Sequence, residues 1–281
     1  NPVTQQWSMV FDGSNVGLGN TDLEDFVVLP GGIILLSVEE DFRLAGFGPV
    51  GDEDVLKFTA TSLGLNTTAG TFSLYFDGST YGLDAGSDKE DIKALDLDPT
   101  GKLVISTHGP FNALGVKGEN EDLFTFTSTP NPAWAMRFDG GDVKLDPDLR
   151  ALWIDPLTNH LYLAVDGKFK VKGTNGSLSG DGNDIFICNQ TSIGTNTACV
   201  FSLFRDLGSV GLGSRRIDGL FIGQPPSTLP GVQVSSTIED GIVTVPGDDA
   251  DELRLPDSGD DEEEVEQIDH LSLPLIIANT K

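Results

Sequence analysis

Short apolar runs punctuate this chain at near-regular intervals. They are rich in β-branched and aromatic residues or alternate apolar with polar, and they are bounded by Gly, Pro, Asn and Asp. Such runs read as β-strands, and no stretch carries the three-to-four-residue apolar spacing of an amphipathic helix. First strands are predicted over 26–29, 92–97, 149–154 and 217–222. A turn follows (Pro30-Gly31-Gly32, Pro99-Thr100-Gly101, Pro156-Leu157-Thr158-Asn159), then second strands over 33–38, 103–107 and 161–165. A longer acidic or glycine-rich loop leads from each into a third strand, over 55–59, 123–127 and 185–188.

The fourth strand of each group carries the clearest repeat. Trp7-Ser8-Met9-Val10-Phe11-Asp12-Gly13 recurs as Phe72-Ser73-Leu74-Tyr75-Phe76-Asp77-Gly78 and as Trp134-Ala135-Met136-Arg137-Phe138-Asp139-Gly140, and in weaker form as Phe201-Ser202-Leu203-Phe204-Arg205-Asp206-Leu207. From Asp12 to Asp77, Asp139 and Asp206 the intervals are 65, 62 and 67 residues. Four short strands per period is the content of a β-propeller blade. The chain opens on a fourth strand (7–11) and ends its last group with a first (217–222), a second (232–236) and a third (242–245). The expected fold is therefore all-β, a four-bladed β-propeller over 7–246 whose N-terminal strand closes the last blade. That closure would remove exposed sheet edges. A two-sheet sandwich is the alternative. Residues 1–6 form a leading segment, 247–270 an acidic linker and 271–281 an apolar terminal strand.

The aromatic-Asp-Gly turn, the acid before each first strand, and the acid pair before each third strand (Glu53-Asp54, Glu121-Asp122, Asn183-Asp184, Glu239-Asp240) resemble tandem propeller-type repeats of secreted bacterial proteins of poorly defined function. The resemblance implies a fold class rather than an activity, because one fold hosts many functions.

Charge narrows the function classes. With 44 acidic and 17 basic residues the formal net charge is −27. That argues against nucleic acid and against anionic membrane surfaces as partners. No apolar run approaches the length of a membrane span. Two registers concentrate the acids. The loops before the third strands hold Asp52 and Asp54, then Glu119, Glu121 and Asp122, then Asp181, Asn183 and Asp184. Several oxygens in a short flexible loop suit Ca²⁺, although none has the EF-hand spacing, and solvated acids are the alternative. The second register is Asp25, Asp91 and Asp148 with Arg216 in the fourth copy, read as a ring around the axis. It holds either a cation or a solvated rim.

Cys188 and Cys199 flank a polar turn and form a disulfide or remain free thiols; the disulfide, which suits an exported protein, is expected. Sequons at Asn66, Asn175 and Asn189 and the scarcity of lysine also point outside the cell. Three histidines, His108, His160 and His270, form no nucleophile or zinc motif, and Gly46-Phe47-Gly48-Pro49-Val50-Gly51 opens no helix and ends in acids. No catalytic residue is assigned. The repeated aromatics read as packing between blades, whereas Tyr81, Phe111 and Trp153 are candidates for contacts.

Residues 247–281 carry 12 acids and 2 bases, yet contain Leu271, Leu273, Leu275, Ile276 and Ile277. An apolar strand on an acidic tether covers its own propeller, adds to a neighbouring subunit or serves as an attachment signal. The functional expectation is a secreted, non-enzymatic structural or binding protein, calcium-stabilised, whose partner is itself in a filament or surface layer. A hydrolase acting on extracellular polymers and a monomeric module binding glycans or cell-surface proteins are the competing classes.

Overall fold

A computed structural model describes residues 9–19, 21–83, 90–210 and 216–223 and the backbone of Leu275–Ile277. The described chain is all-β, with 3-10 turns at Gly13–Val16, Ser79–Tyr81, Gly141–Val143 and Gly208–Val210. No helix among the described residues is long and apolar enough to cross a membrane.

Three successive units share one plan. The first contains β1 (Leu23–Leu29), β2 (Ile33–Val38), a hairpin of β3 (Phe42–Leu44) and β4 (Gly48–Val50), then β5 (Val55–Ser62) and β6 (Ala69–Phe76). The second contains β7 (Ile92–Leu97), β8 (Leu103–Thr107), the hairpin β9 (Phe111–Ala113) and β10 (Val116–Gly118), then β11 (Leu123–Thr127) and β12 (Ala133–Phe138). The third contains β13 (Leu149–Ile154), β14 (Leu161–Val165), the hairpin β15 (Phe169–Gly173) and β16 (Gly176–Gly180), then β17 (Asp184–Ser192) and β18 (Ala198–Asp206). The main sheets run β1-β2-β5-β6, β7-β8-β11-β12 and β13-β14-β17-β18, and β15-β16 joins the third through one parallel pairing of Gly173 with Phe201. The fourth unit contributes β19 (Leu220–Ile222), which pairs in parallel with β20 (Leu275–Ile277).

The strands expected between residues 26 and 206 are present, several extended by a few residues, whereas that expected over 217–222 is confined to Leu220–Ile222. The three hairpins were expected as loops, because strands of three to five residues around tight turns lack a readable period. Thus the Gly-x-Gly-x-x-Gly stretch forms the β3–β4 turn and strand, with Gly46 at φ +78° and Gly48 at φ +133°. The opening strand over 7–11 is only partly testable: Trp7 lies outside the described residues, and Met9–Phe11 make no strand. The expected strands at 232–236 and 242–245 also lie outside the described residues.

The inner strands are neighbours in succession, β1 beside β7, β7 beside β13, β13 beside β19, and β19 beside β1. Apolar side chains fill the spaces between consecutive units. Val27 and Leu35 pack with Leu95, Ile105 and Phe124. Val104 and Leu123 pack with Leu152 and Phe186, and Ala151 and Ile185 with Leu220 and Ile222. The other face of the first unit (Ile34, Leu36, Phe58) holds Phe11 and the partly buried Phe221. Burying sheets on both faces explains why inner strands read as nearly continuous apolar runs rather than alternations.

Candidate functional site

The acids that recur between the repeats mainly serve the backbone. Asp54 accepts from the amide of Gly51 at 3.0 Å and from that of Gly78 at 3.1 Å. Asp122 repeats the pattern with Glu119 at 2.8 Å and Gly140 at 2.8 Å, and Asp184 accepts from the Asp181 amide at 3.0 Å. These carboxylates sit in turns, and burial pushes each one's pKa upward. In the same loops the carbonyls of Asp52, Asn120 and Gly182 accept from Ile92, Leu149 and Ile217, the first residues of the following unit's inner segment. Each loop therefore clamps its own third strand to the next unit. The glycine after the aromatic-Asp pair is required by this contact: a Cβ on Gly78 would lie 2.1 Å from the Glu53 carbonyl oxygen, and one on Gly140 would lie 2.7 Å from that of Glu121. The aspartates before those glycines accept from amides of the 3-10 turns, Asp77 from Thr80 at 3.0 Å and Asp139 from Asp142 at 3.1 Å.

The axial register needs correction. The main-chain bonds Glu39 N to Asp22 O, His108 N to Asp91 O and Asp166 N to Asp148 O make Asp22, not Asp25, the counterpart of Asp91 and Asp148. Asp25 lies three residues further on. Pairings of Leu23 with Val38, Ile92 with Thr107 and Leu149 with Val165 put Ala94 and Ala151 at its position, and a bulge follows in each case. No four-residue ring of Asp25, Asp91, Asp148 and Arg216 exists; Arg216 instead pairs with Asp166 at 2.9 Å.

Asp25 is 1 % exposed and binds all four inner segments. One carboxylate oxygen accepts from Phe26 at 2.7 Å and Leu220 at 3.3 Å; the other accepts from Leu95 at 2.8 Å and Leu152 at 3.2 Å. β1, β7 and β13 each lie at a sheet edge and leave amides unpaired there, and buried amides need acceptors. A single side chain supplies them. Burial raises the Asp25 pKa well above the usual carboxylate range, against the pull of its amide donors. One register before it, Glu24, Lys93, Arg150 and Asp218 form a buried ion cluster. Glu24 lies 3.5 Å from Lys93 and 3.9 Å from Arg150, and Arg150 also binds Asp218 and, at 3.6 Å, Asp166. Two carboxylates thus face two cations from equivalent positions in the four units. Lys93 Nζ also lies 3.3 Å from His108 Nδ1. Sequence reasoning missed this cluster because its members differ in charge from unit to unit.

Among the described residues, three acid oxygens converge only at Asp41, Asp52 and Glu53. They line a cleft of about 430 Å³ together with Arg43, Glu90 and Asp91. Burial and then its acidic neighbours Asp54 and Asp52 raise the Glu53 pKa to about 7. These three are the residues able to hold a cation, with carboxylate oxygens of the type Ca²⁺ accepts. Asp54 is turned away into its turn, and Glu119, Glu121 and Asp122, or Asp181 and Asp184, form no comparable cluster among the described residues; the backbone N–H of Asn183 donates to the Asp181 carboxylate at 3.2 Å. Asp41 was missed because it lies between β2 and β3, outside the repeating loop.

The remaining assignments separate cleanly. Cys188 and Cys199 form a disulfide across β17 and β18, with Cα atoms 5.3 Å apart. Asn66 and Asn175 are exposed, whereas the side-chain amide of Asn189 donates to Val200 O at 3.0 Å and Ser202 Oγ at 3.3 Å. Tyr81, Phe111 and Trp153 are packing residues: Tyr81 stacks on Phe76, Phe111 on Phe124, and Trp153 meets Tyr162 edge-on. Trp134 packs against Phe76 of the preceding unit and donates its indole N–H to Tyr81 O at 3.1 Å. Leu275, Ile276 and Ile277 lie beside Leu220, Phe221 and Ile222 of the same chain; Leu271 and Leu273 lie outside the described residues. Searches of protein-family models, of curated proteins and of solved structures found no match to this chain.

Proposed function

We propose that this chain is a secreted, non-enzymatic structural protein, a four-bladed β-propeller that assembles with copies of itself by donating its C-terminal strand. The propeller reading is supported by the succession of inner strands and by the four-way hydrogen bonding of Asp25. The N-terminal segment adds to it. Val10 O accepts from Gly64 and Asp12 N donates to Thr68 in the first unit, as Arg137 O accepts from Gly194 and Asp139 N donates to Thr197 in the third. Thus the opening segment stands to the first unit as the outer strand of the second unit stands to the third. Export is supported by the disulfide.

The observation that carries assembly is the pairing of β20 with β19 across the 52 residues 223–274. A strand delivered on so long a tether can be exchanged for the same strand of another copy with no change of contacts. Donation from one copy to the next is heterologous and builds chains or rings. Ca²⁺ enters this reading as a stabilising ligand of Asp41, Asp52 and Glu53.

Sedimentation and negative-stain microscopy of the full chain and of a chain lacking 271–281 test the proposal. Polymers are expected for the full chain and dispersed particles for the shortened one. In assembled material the pair Phe221→Cys/Ile276→Cys should give disulfide-linked ladders under non-reducing conditions. A full chain that stays monomeric as its concentration rises, or polymers indifferent to the deletion, would overturn donation. A melting temperature unmoved by chelator would remove calcium.

A further inference from the structure

The three hairpins that occupy equivalent places in the units stand apart in charge. Residues 42–50, 111–118 and 168–180 carry Arg43, Lys117, Lys168, Lys170 and Lys172 and no acid, in a chain with 44 acids and 17 bases. All five cations are exposed. Among the described residues none of the five takes part in an ion pair. The third hairpin concentrates the feature. Phe169 and Val171 point into the core, at 5 % and 3 % exposure, so Lys170 and Lys172 share the opposite face, with Ser179 and Ser177 as their partners across the ladder. Alternate residues of a strand stand about 7 Å apart, which makes the ribbon a row of ammonium groups flanked by hydroxyls.

The location of this ribbon suggests its occupant. Asp166, two residues before Lys168, binds Arg216 at 2.9 Å, and Gly182, two residues after β16, accepts from Ile217 at 3.4 Å. Both ends of the hairpin thus lie against the segment that runs into β19. The connection from β19 to β20 starts and finishes at that same strand pair. It contains 248–269, where all 12 acids of residues 247–281 are found. An extended half of that connection reaches roughly 80 Å, more than enough to return to the hairpin. Tethering sets an effective concentration of about millimolar for a chain's own tract, which favours it over that of another copy.

We propose that the β15–β16 ribbon of Lys168, Lys170 and Lys172 is the docking surface for the acidic tract 248–269 of the same chain. The interaction is independent of strand donation and goes beyond the proposed function. Being between exposed charges, it weakens as added salt shortens the screening length.

Zero-length carbodiimide cross-linking of the full chain, read by peptide mass spectrometry, tests this. Links from Lys168, Lys170 and Lys172 to acids within 248–269 are expected, and their yield should drop several-fold in about 1 M NaCl. The variant Lys168→Gln/Lys170→Gln/Lys172→Gln, with an unchanged melting profile because the three are exposed, should show a compact-to-expanded shift in hydrodynamic radius. Links from these lysines only to acids outside 248–269, a salt-independent yield, or links joining isotopically heavy to light copies in a mixture would overturn the proposal.

Discussion

Replacing Asp25 with asparagine preserves shape but turns one acceptor oxygen into a donor that faces two amides. Stranded buried amides cost about 1–3 kcal/mol each, so Asp25→Asn should lose about 3 kcal/mol or more in a denaturant titration. Ala94→Ser, at the equivalent position on β7, offers a milder control. Asp96, next to the same axis, accepts from Leu97 and Ile154, and burial lifts its pKa to about 7. Its unfolded value is near 4. The folded protein then holds a proton that the unfolded chain has released, so this contribution to stability is complete below about pH 4 and lost as pH rises towards 7. Glu24 and Asp25, also raised by burial, act with the same sign. The melting temperature should therefore be higher near pH 5 than near pH 8, and Asp96→Asn should flatten that slope. A rise with pH across the interval would contradict the assignment. At the residue level the sequence showed which positions are acidic but not what they face. The bulge beside each inner strand shifts the register, so Asp25 looked like the partner of Asp91 and Asp148 when its structural equivalents are alanines.

Among elements, the clamp between each loop and the aromatic-Asp-Gly turn is the recurring device. Gly78→Ala would push a methyl group into the Glu53 carbonyl, and overpacking of this kind costs about 1–3 kcal/mol. The first unit should loosen most, which hydrogen exchange of β5 and β6 would register. Reducing the Cys188–Cys199 bridge, which spans 11 positions, should cost about 3 kcal/mol by loop-closure entropy and act locally on β17–β18. Strands were legible because both-sided burial selects apolar, β-branched runs of the right length. The hairpins were not, because their information lies in positive-φ glycines and in single buried anchors such as Phe111 and Phe169. The metal-capable cluster was half legible: Asp52 and Glu53 belong to the repeat, whereas Asp41 joins them only through the fold.

At the scale of the molecule, buried charges of both signs from all four units meet in one cluster. Glu24, Lys93, Arg150 and Asp218 neutralise one another in the interior, where breaking one partner costs about 3–5 kcal/mol but replacing a full pair by apolar groups is often neutral. Lys93→Met should accordingly destabilise strongly, and Glu24→Leu/Lys93→Met should recover most of the loss in a double-mutant cycle. The overall repeat, the disulfide and the acidity of the tail were open to reading from residues alone, since each is a matter of spacing or composition. The ion cluster was hidden, because its chemistry alternates between units while its geometry does not.

The Asp25 carboxylate among the four inner segments also sets an arithmetic limit. In its ionised form its two oxygens offer about four lone pairs, and the amides of Phe26, Leu95, Leu152 and Leu220 occupy them. A duplicated repeat would bring a fifth amide with no acceptor, and a deleted one would leave a lone pair idle in the dry interior. Lengthening the array by one unit would therefore carry the cost of a stranded buried amide, about 1–3 kcal/mol.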